Sequence, residues 1–166
     1  MSSKRLKDPE RVPSAKKVCV ATLSGYSLRF HKYSKKDGSA KCDAFETGID
    51  TDEVIGVVFE IDEGDIESLD GCEGYPKHYG KKNVAVIDEN GNSITAVTYI
   101  AMPEYILKPG CIHDGLKPYC WYLEHVIRGA KKFNLPDWYV QKIEKVESVA
   151  DTNESRRNRE LSIYEI

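Results

Sequence analysis

Glu53-Val54-Ile55-Gly56-Val57-Val58-Phe59-Glu60-Ile61 runs straight into Asp62-Glu63-Gly64-Asp65-Ile66-Glu67-Ser68-Leu69-Asp70, and this junction decides the fold class. The first stretch is rich in β-branched residues and reads as a strand. Gly56 inside it predicts a bulge or a close backbone approach. The second stretch carries helix-start chemistry, with acids crowding the first turn where the helix dipole favours them. Ile66 and Leu69 lie three apart and share one face of a short helix. Gly71 and Gly74 bracket Cys72-Glu73 and are read as breaking that helix before Tyr75-Pro76.

Upstream, residues 17–22 and 26–31 read as strands. In the second, Leu28 and Phe30 alternate with Arg29 and His31, the period of a half-buried strand. Residues 32–41 are basic, contain Gly38 and read as a surface loop, with a short strand at 42–47. Residues 4–14, with Pro9 and Pro13, read as a short helix or loop followed by a bend. Downstream, residues 81–88 and 93–100 alternate around Asn90-Gly91, a strong hairpin signal. Residues 102–117 read as loop. Leu123, Val126, Ile127 and Ala130 follow helical spacing over 122–133. Pro136-Asp137 opens a second helix carrying Trp138, Val140 and Ile143 toward Val146. Strands first and helices last indicate an α+β domain over residues 1–149. Residues 150–166 form a charged tail, read as exposed helix or disorder.

The 166 residues fit one domain, with 40% apolar and 31% charged residues. A net charge of −3 with both signs interspersed argues against a nucleic-acid partner. No apolar run approaches the roughly 18 residues of a membrane span, and the start at Met1-Ser2-Ser3-Lys4-Arg5 has no signal-peptide core. A cytoplasmic protein without a membrane partner is expected. Five cysteines, an odd number with no C-x-x-C spacing, suggest neither a disulfide framework nor a zinc site. They read as small buried hydrophobes. Cys72, beside Glu73 and near His78, leaves a thiol nucleophile as an alternative. His31, His78, His113 and His125 show no metal-binding pattern, and no nucleotide-binding or G-x-S-x-G motif occurs. We therefore expect no metal and no cofactor.

Glu73 is the candidate for chemistry. Flanking glycines let a carboxylate be aimed into a concavity, where desolvation raises its pKa toward acid–base work near neutral pH. The alternative is an exposed turn acid. Tyr75, Tyr79, Tyr119 and Tyr122 could line a small-molecule pocket, or serve core and hairpin packing.

Four stretches together resemble the gamma-glutamylcyclotransferase family: Arg5-Leu6 with Arg11-Val12-Pro13-Ser14-Ala15; residues 53–61; Leu69-Asp70 through Glu73-Gly74-Tyr75-Pro76 to Tyr79; and Tyr122-Leu123 through Gly129-Ala130-Lys131-Lys132 to Leu135-Pro136 and Tyr139. The resemblance implies a small mixed β-barrel with flanking helices. It implies that Glu73 is the general acid–base, and that Tyr79 and Tyr122, with Gly74 and Tyr75, shape the substrate site. Family members cyclise a γ-glutamyl group to 5-oxoproline, releasing an amine or amino acid without a cofactor. The family usually opens with a strand ending in Y-G-S-N, whose backbone amides bind the γ-glutamyl end. Here Met1-Ser2-Ser3-Lys4-Arg5-Leu6 resembles the sequence after that motif. A late start, or a chain without that loop, is expected. In the second case a partner chain could supply the strand in a homodimer, and a non-catalytic relative that binds a small ligand or a partner protein is the alternative function.

Overall fold

The computed structural model describes residues 3–7, 11–110, 113 and 115–164. Its centre is β1 (Lys16–Ser24), whose stretch from Val20 to Leu23 is covered on both faces. Successive side chains of a strand point to opposite sides. Val20 therefore joins one core, with Ile55 of β4 (Glu53–Glu60) and the helices α3 (Cys120–Lys132) and α4 (Asp137–Glu144). Ala21 and Leu23 join a second core, with Tyr26, Val84 and Val86. The α+β class follows from this arrangement, with α3 and α4 over the first core and the hairpin that carries Val84 and Val86 over the second.

Four strands form one sheet in the order β4-β1-β5-β6, where β5 is Tyr79–Asp88 and β6 is Ser93–Ala101. β2 (Tyr26–Ser34) and β3 (Ser39–Glu46) pair separately as an antiparallel hairpin. The strands do not close into the barrel expected from the resemblance. β1 and β5 pair as a ladder only at Ala21↔Asp88 and Thr22↔Ile87. The β2–β3 hairpin meets the larger sheet through side chains and single backbone bonds, not through a ladder.

The β5–β6 hairpin is the one expected, because its turn is satisfied locally. The Asp88 carboxylate accepts the N–H groups of Asn90 (2.9 Å) and Asn92 (2.8 Å), and Gly91 takes the left-handed φ of 82°. Gly56, by contrast, makes no bulge: it pairs regularly with Ala21, and an added Cβ there would meet nothing. The irregularities fall instead between Lys17 and Cys19 in β1 and between Phe30 and Lys32 in β2.

α2 (Glu63–Glu73) runs through Gly71 rather than breaking at it. A glycine inside a helix costs only about 1 kcal/mol, and tertiary bonds at Asp70 outweigh that cost. The Asp70 carboxylate accepts Lys81 Nζ of β5 (2.7 Å) and Tyr99 Oη of β6 (2.5 Å). α3 buries Leu123 and Ala130 as its spacing predicts. α4 buries Tyr139, Val140 and Ile143, while Trp138 faces outward at 51% exposure. The charged segment after residue 150 contains α5 (Glu154–Ser162), and it is docked rather than free. Asp151, 1% exposed, accepts Trp121 Nε1 (2.8 Å), Arg156 Nε (2.6 Å) and Arg156 Nη2 (2.6 Å). Tyr164 Oη meets His125 Nδ1 at 2.6 Å, and Glu160 pairs with Arg5. Among the described residues no helix is long and apolar enough to cross a membrane. Pro9, Cys111 and the residues before Ser3 lie outside the described residues.

Candidate active site

Glu73 is the last residue of α2, and Gly74 stops the helix in the left-handed conformation at φ 72°. The turn is closed by Tyr75 N–H donating to the Asp70 carbonyl (2.9 Å). Any other residue at position 74 would adopt a strained φ and would displace the His78 ring, since a Cβ there would sit 2.6 Å from His78 Cδ2. Asp70 pins this end of the helix to β5 and β6, so the Glu73 side chain is delivered by a rigid element, not by a loop.

Glu73 is half-buried. Desolvation raises its pKa, and the positive charges of Arg11, Lys32 and Arg5 pull it back only in part. The shift is upward, the direction that acid–base work by a carboxylate requires. Its charge is also felt by Cys42, Tyr79 and Tyr99. These groups form one neighbourhood at the seam between the two sheets.

The tyrosines divide. Tyr79 is buried at the start of β5, and its phenol donates to the Cys42 carbonyl (2.9 Å). Tyr122, on the first turn of α3, accepts the Cys42 N–H (3.1 Å) and touches Cys42 Sγ at 3.0 Å. Burial pushes both phenols well above their ordinary value of 10.0, so they remain protonated. Residues distant in sequence thus converge on Cys42. Tyr75 turns away, 42% exposed, beneath the Lys81 ammonium at 4.8 Å. Tyr119 lies further off, donating to the Asp37 carbonyl at 3.1 Å. Cys72 and Cys120 are exposed rather than buried, and His78 packs on Tyr105 (4.6 Å between centroids) rather than on Cys72.

Several residues here escape a sequence reading. Lys32 and Lys41, assigned above to a surface loop, belong to β2 and β3 and face each other in register. Lys41 bonds to Asp37 (2.6 Å) and Ser39 (2.8 Å). Asp43, 2% exposed, accepts the Ala101 N–H (2.8 Å) and meets His31 Nε2 (3.0 Å). No alternation could have found Lys32, because the register shift between Phe30 and Lys32 breaks the period of β2 just before it. Among the described residues no cluster of His, Cys, Asp or Glu has the grouping of a metal site. A groove of about 630 Å³ beside α3 and α4, lined by Lys131, Asn134, Pro136, Asp137, Gln141 and Glu144 among others, shares no residue with the Glu73 cluster.

Comparison with known proteins gives the relatives of this chain. The profile of the AIG2-like family matches residues 53–143. The gamma-glutamylcyclotransferase of Mus musculus is 31% identical over 144 residues, covering 82% of this chain and 70% of that protein. The Homo sapiens protein of the same name is 31% identical over 140 residues, with the same coverage of 82% and 70%. Among solved structures, a gamma-glutamyl cyclotransferase superposes with a TM-score of 0.79 over 99% of this chain and 93% of its own; at 24% identity, this is a likeness of fold. An uncharacterized protein from Homo sapiens superposes with a TM-score of 0.75 at 25% identity, over 96% of this chain and 91% of its own.

Proposed function

The chain belongs to the gamma-glutamylcyclotransferase, or AIG2-like, family, and on that premise we propose that it cyclises a γ-glutamyl amide to 5-oxoproline with Glu73 as the general acid–base. The observation that carries this reading is the placement of Glu73: a half-buried carboxylate with a desolvation-raised pKa, held on the end of a pinned helix beside Tyr79 and Cys42.

The chemistry asks little more of the protein than this. The nucleophile is the substrate's own α-amine and the electrophile its own γ-carbonyl carbon. Five-membered ring closure is intramolecular, so the site need only hold the reactive rotamer. Glu73 takes a proton from the α-ammonium, and the freed amine attacks the γ-carbonyl. As the tetrahedral intermediate collapses, Glu73 returns that proton to the departing nitrogen and the old C–N bond breaks; the attacking nitrogen gives up its second proton to the same carboxylate, which passes it to the released amine, so that the products are the neutral lactam and an ammonium. Backbone N–H groups serve the transient oxyanion. Tyr79 and Tyr122, both protonated, wall the site and keep water from competing.

Incubation with γ-glutamyl dipeptides or glutathione, followed by chromatography for 5-oxoproline, tests the activity. Glu73→Gln should lower kcat by about 10²–10⁴ while the circular dichroism spectrum is kept. Full turnover by that variant would remove Glu73 from the mechanism, and no product from the folded wild-type chain with any γ-glutamyl amide would remove the activity.

A further inference from the structure

Lys32 is a buried cation without an ion-pair partner among the described residues, although it feels the charges of Glu73 and Asp37. It is 6% exposed on the inward face of β2. Its register partner Lys41 has its charge met by Asp37 at 2.6 Å. The Lys32 ammonium forms no ion pair among the described residues; it lies over the rings of Tyr79 (4.9 Å) and Tyr105 (5.5 Å). Cation–π contact offsets part of the cost of burying a charge, but supplies no counter-ion. The same Tyr105 ring carries the Lys35 ammonium at 5.2 Å and the His78 ring at 4.6 Å. His78 Nδ1 is itself buried without a hydrogen-bond partner. Polar and positive groups therefore converge on Tyr105, and His78 in turn abuts Gly74, the neighbour of Glu73. Glu73 and Lys32 sense each other's charge. Glu73 is not a lasting counter-ion, because on the reading above it becomes neutral when it accepts the substrate's proton.

The substrate itself supplies an anion at that place. In a γ-glutamyl group the α-amine and α-carboxylate are attached to one carbon, so the nitrogen and the carboxylate oxygens are roughly 3 Å apart. An amine delivered to Glu73 must bring its carboxylate onto whatever lies beside Glu73. We propose that Lys32 anchors the substrate's α-carboxylate, so that the site selects the γ-glutamyl group by its carboxylate and aims its amine at Glu73. This rests on the γ-glutamyl reading above and adds a specificity residue to it. Arg11 also faces Glu73, but it is half-buried, whereas Lys32 sits within the aromatic wall.

The test compares two substrates of the same leaving amine: a γ-glutamyl amide, and the 4-aminobutanoyl amide that lacks the α-carboxylate and closes to 2-pyrrolidinone. Wild-type protein should prefer the first by roughly tenfold to a hundredfold in kcat/KM, mostly through KM. Lys32→Met keeps the apolar stem and should collapse that preference. Calorimetric titration gives a readout free of turnover: 5-oxoproline should bind Lys32→Met about tenfold or more weakly, and 2-pyrrolidinone should not distinguish the two proteins. Absence of any preference in the wild type overturns the proposal without recourse to a variant. So does a preference that survives Lys32→Met, or one that collapses in Arg11→Met instead. If no γ-glutamyl amide is turned over, the activity falls. Lys32-dependent binding of 5-oxoproline would then keep the anion subsite, and its absence would remove that too.

Discussion

Ionising Glu73 takes a charge out of water, and the nearby cations do not fully compensate, since the net shift of its pKa is upward. The sign of the consequence for stability follows. Between the ordinary value of 4.5 and the raised one, the folded state holds a proton that the unfolded state has lost. Stability contributed at this residue is therefore full at low pH and declines as pH rises through that window. Glu73→Gln removes the penalty while preserving shape. The variant should melt at the same temperature as wild type below about pH 4 and at a higher one at pH 7 to 8. Paired thermal melts across that range decide the point; a variant that melts lower at neutral pH would mean that Lys32 and Arg11 stabilise the carboxylate more than burial opposes it. Gain of stability with loss of turnover in one substitution is the signature of a residue placed for chemistry.

At the scale of elements, α5 shows how a charged segment can belong to a core. It buries no side chain of its own. What holds it is Asp151 just ahead of it, whose carboxylate gathers the indole of Trp121, the Asn153 N–H (2.9 Å) and the Arg156 guanidinium. Those bonds, the Arg156 ones foremost, keep the Asp151 carboxyl well below the usual range. Its contribution is thus present at neutral pH and is lost only as pH falls below the unfolded value of 3.8 toward the folded one. Asp151→Ala leaves the buried indole N–H without an acceptor and the guanidinium without its partner. We expect a loss of about 2–4 kcal/mol, or roughly 4–16 °C in Tm for a domain of this size, read by circular dichroism. An unaltered Tm would return α5 to the status of a loose tail. Periodicity could not reveal this docking, because composition over 150–166 is that of a solvated segment and the decisive bonds reach 30 residues back, from Asp151 to Trp121.

Across the whole molecule, what the sequence disclosed is what is local. The β5–β6 hairpin is written in Asn90-Gly91, α3 in its helical spacing, and the end of α2 in Gly74. What stayed hidden is the seam between the sheets, because strand pairing and a bulge at His31 are settled by partners far along the chain. The reading of 32–41 as a surface loop failed for that reason: buried lysines look like exposed ones until the aromatic rings above them are known. The seam also ties stability to the site. Asp43 joins β3 to the end of β6 through the Ala101 N–H and to β2 through His31, and its neighbour Cys42 holds both Tyr79 and Tyr122. Asp43→Ala should strand a buried N–H and cost about 1–3 kcal/mol. Turnover should fall with it, although Asp43 touches neither Glu73 nor Lys32 among the described contacts, because Cys42 and the two phenols lose their fixed register. Asp43→Asn can still accept from Ala101 and should recover most of both. Urea melts give the stability difference, hydrogen exchange at the Ala101 amide locates it, and kcat/KM on a γ-glutamyl amide gives the coupling. A protected Ala101 amide in Asp43→Ala, or full turnover despite its exposure, would separate the seam from the site.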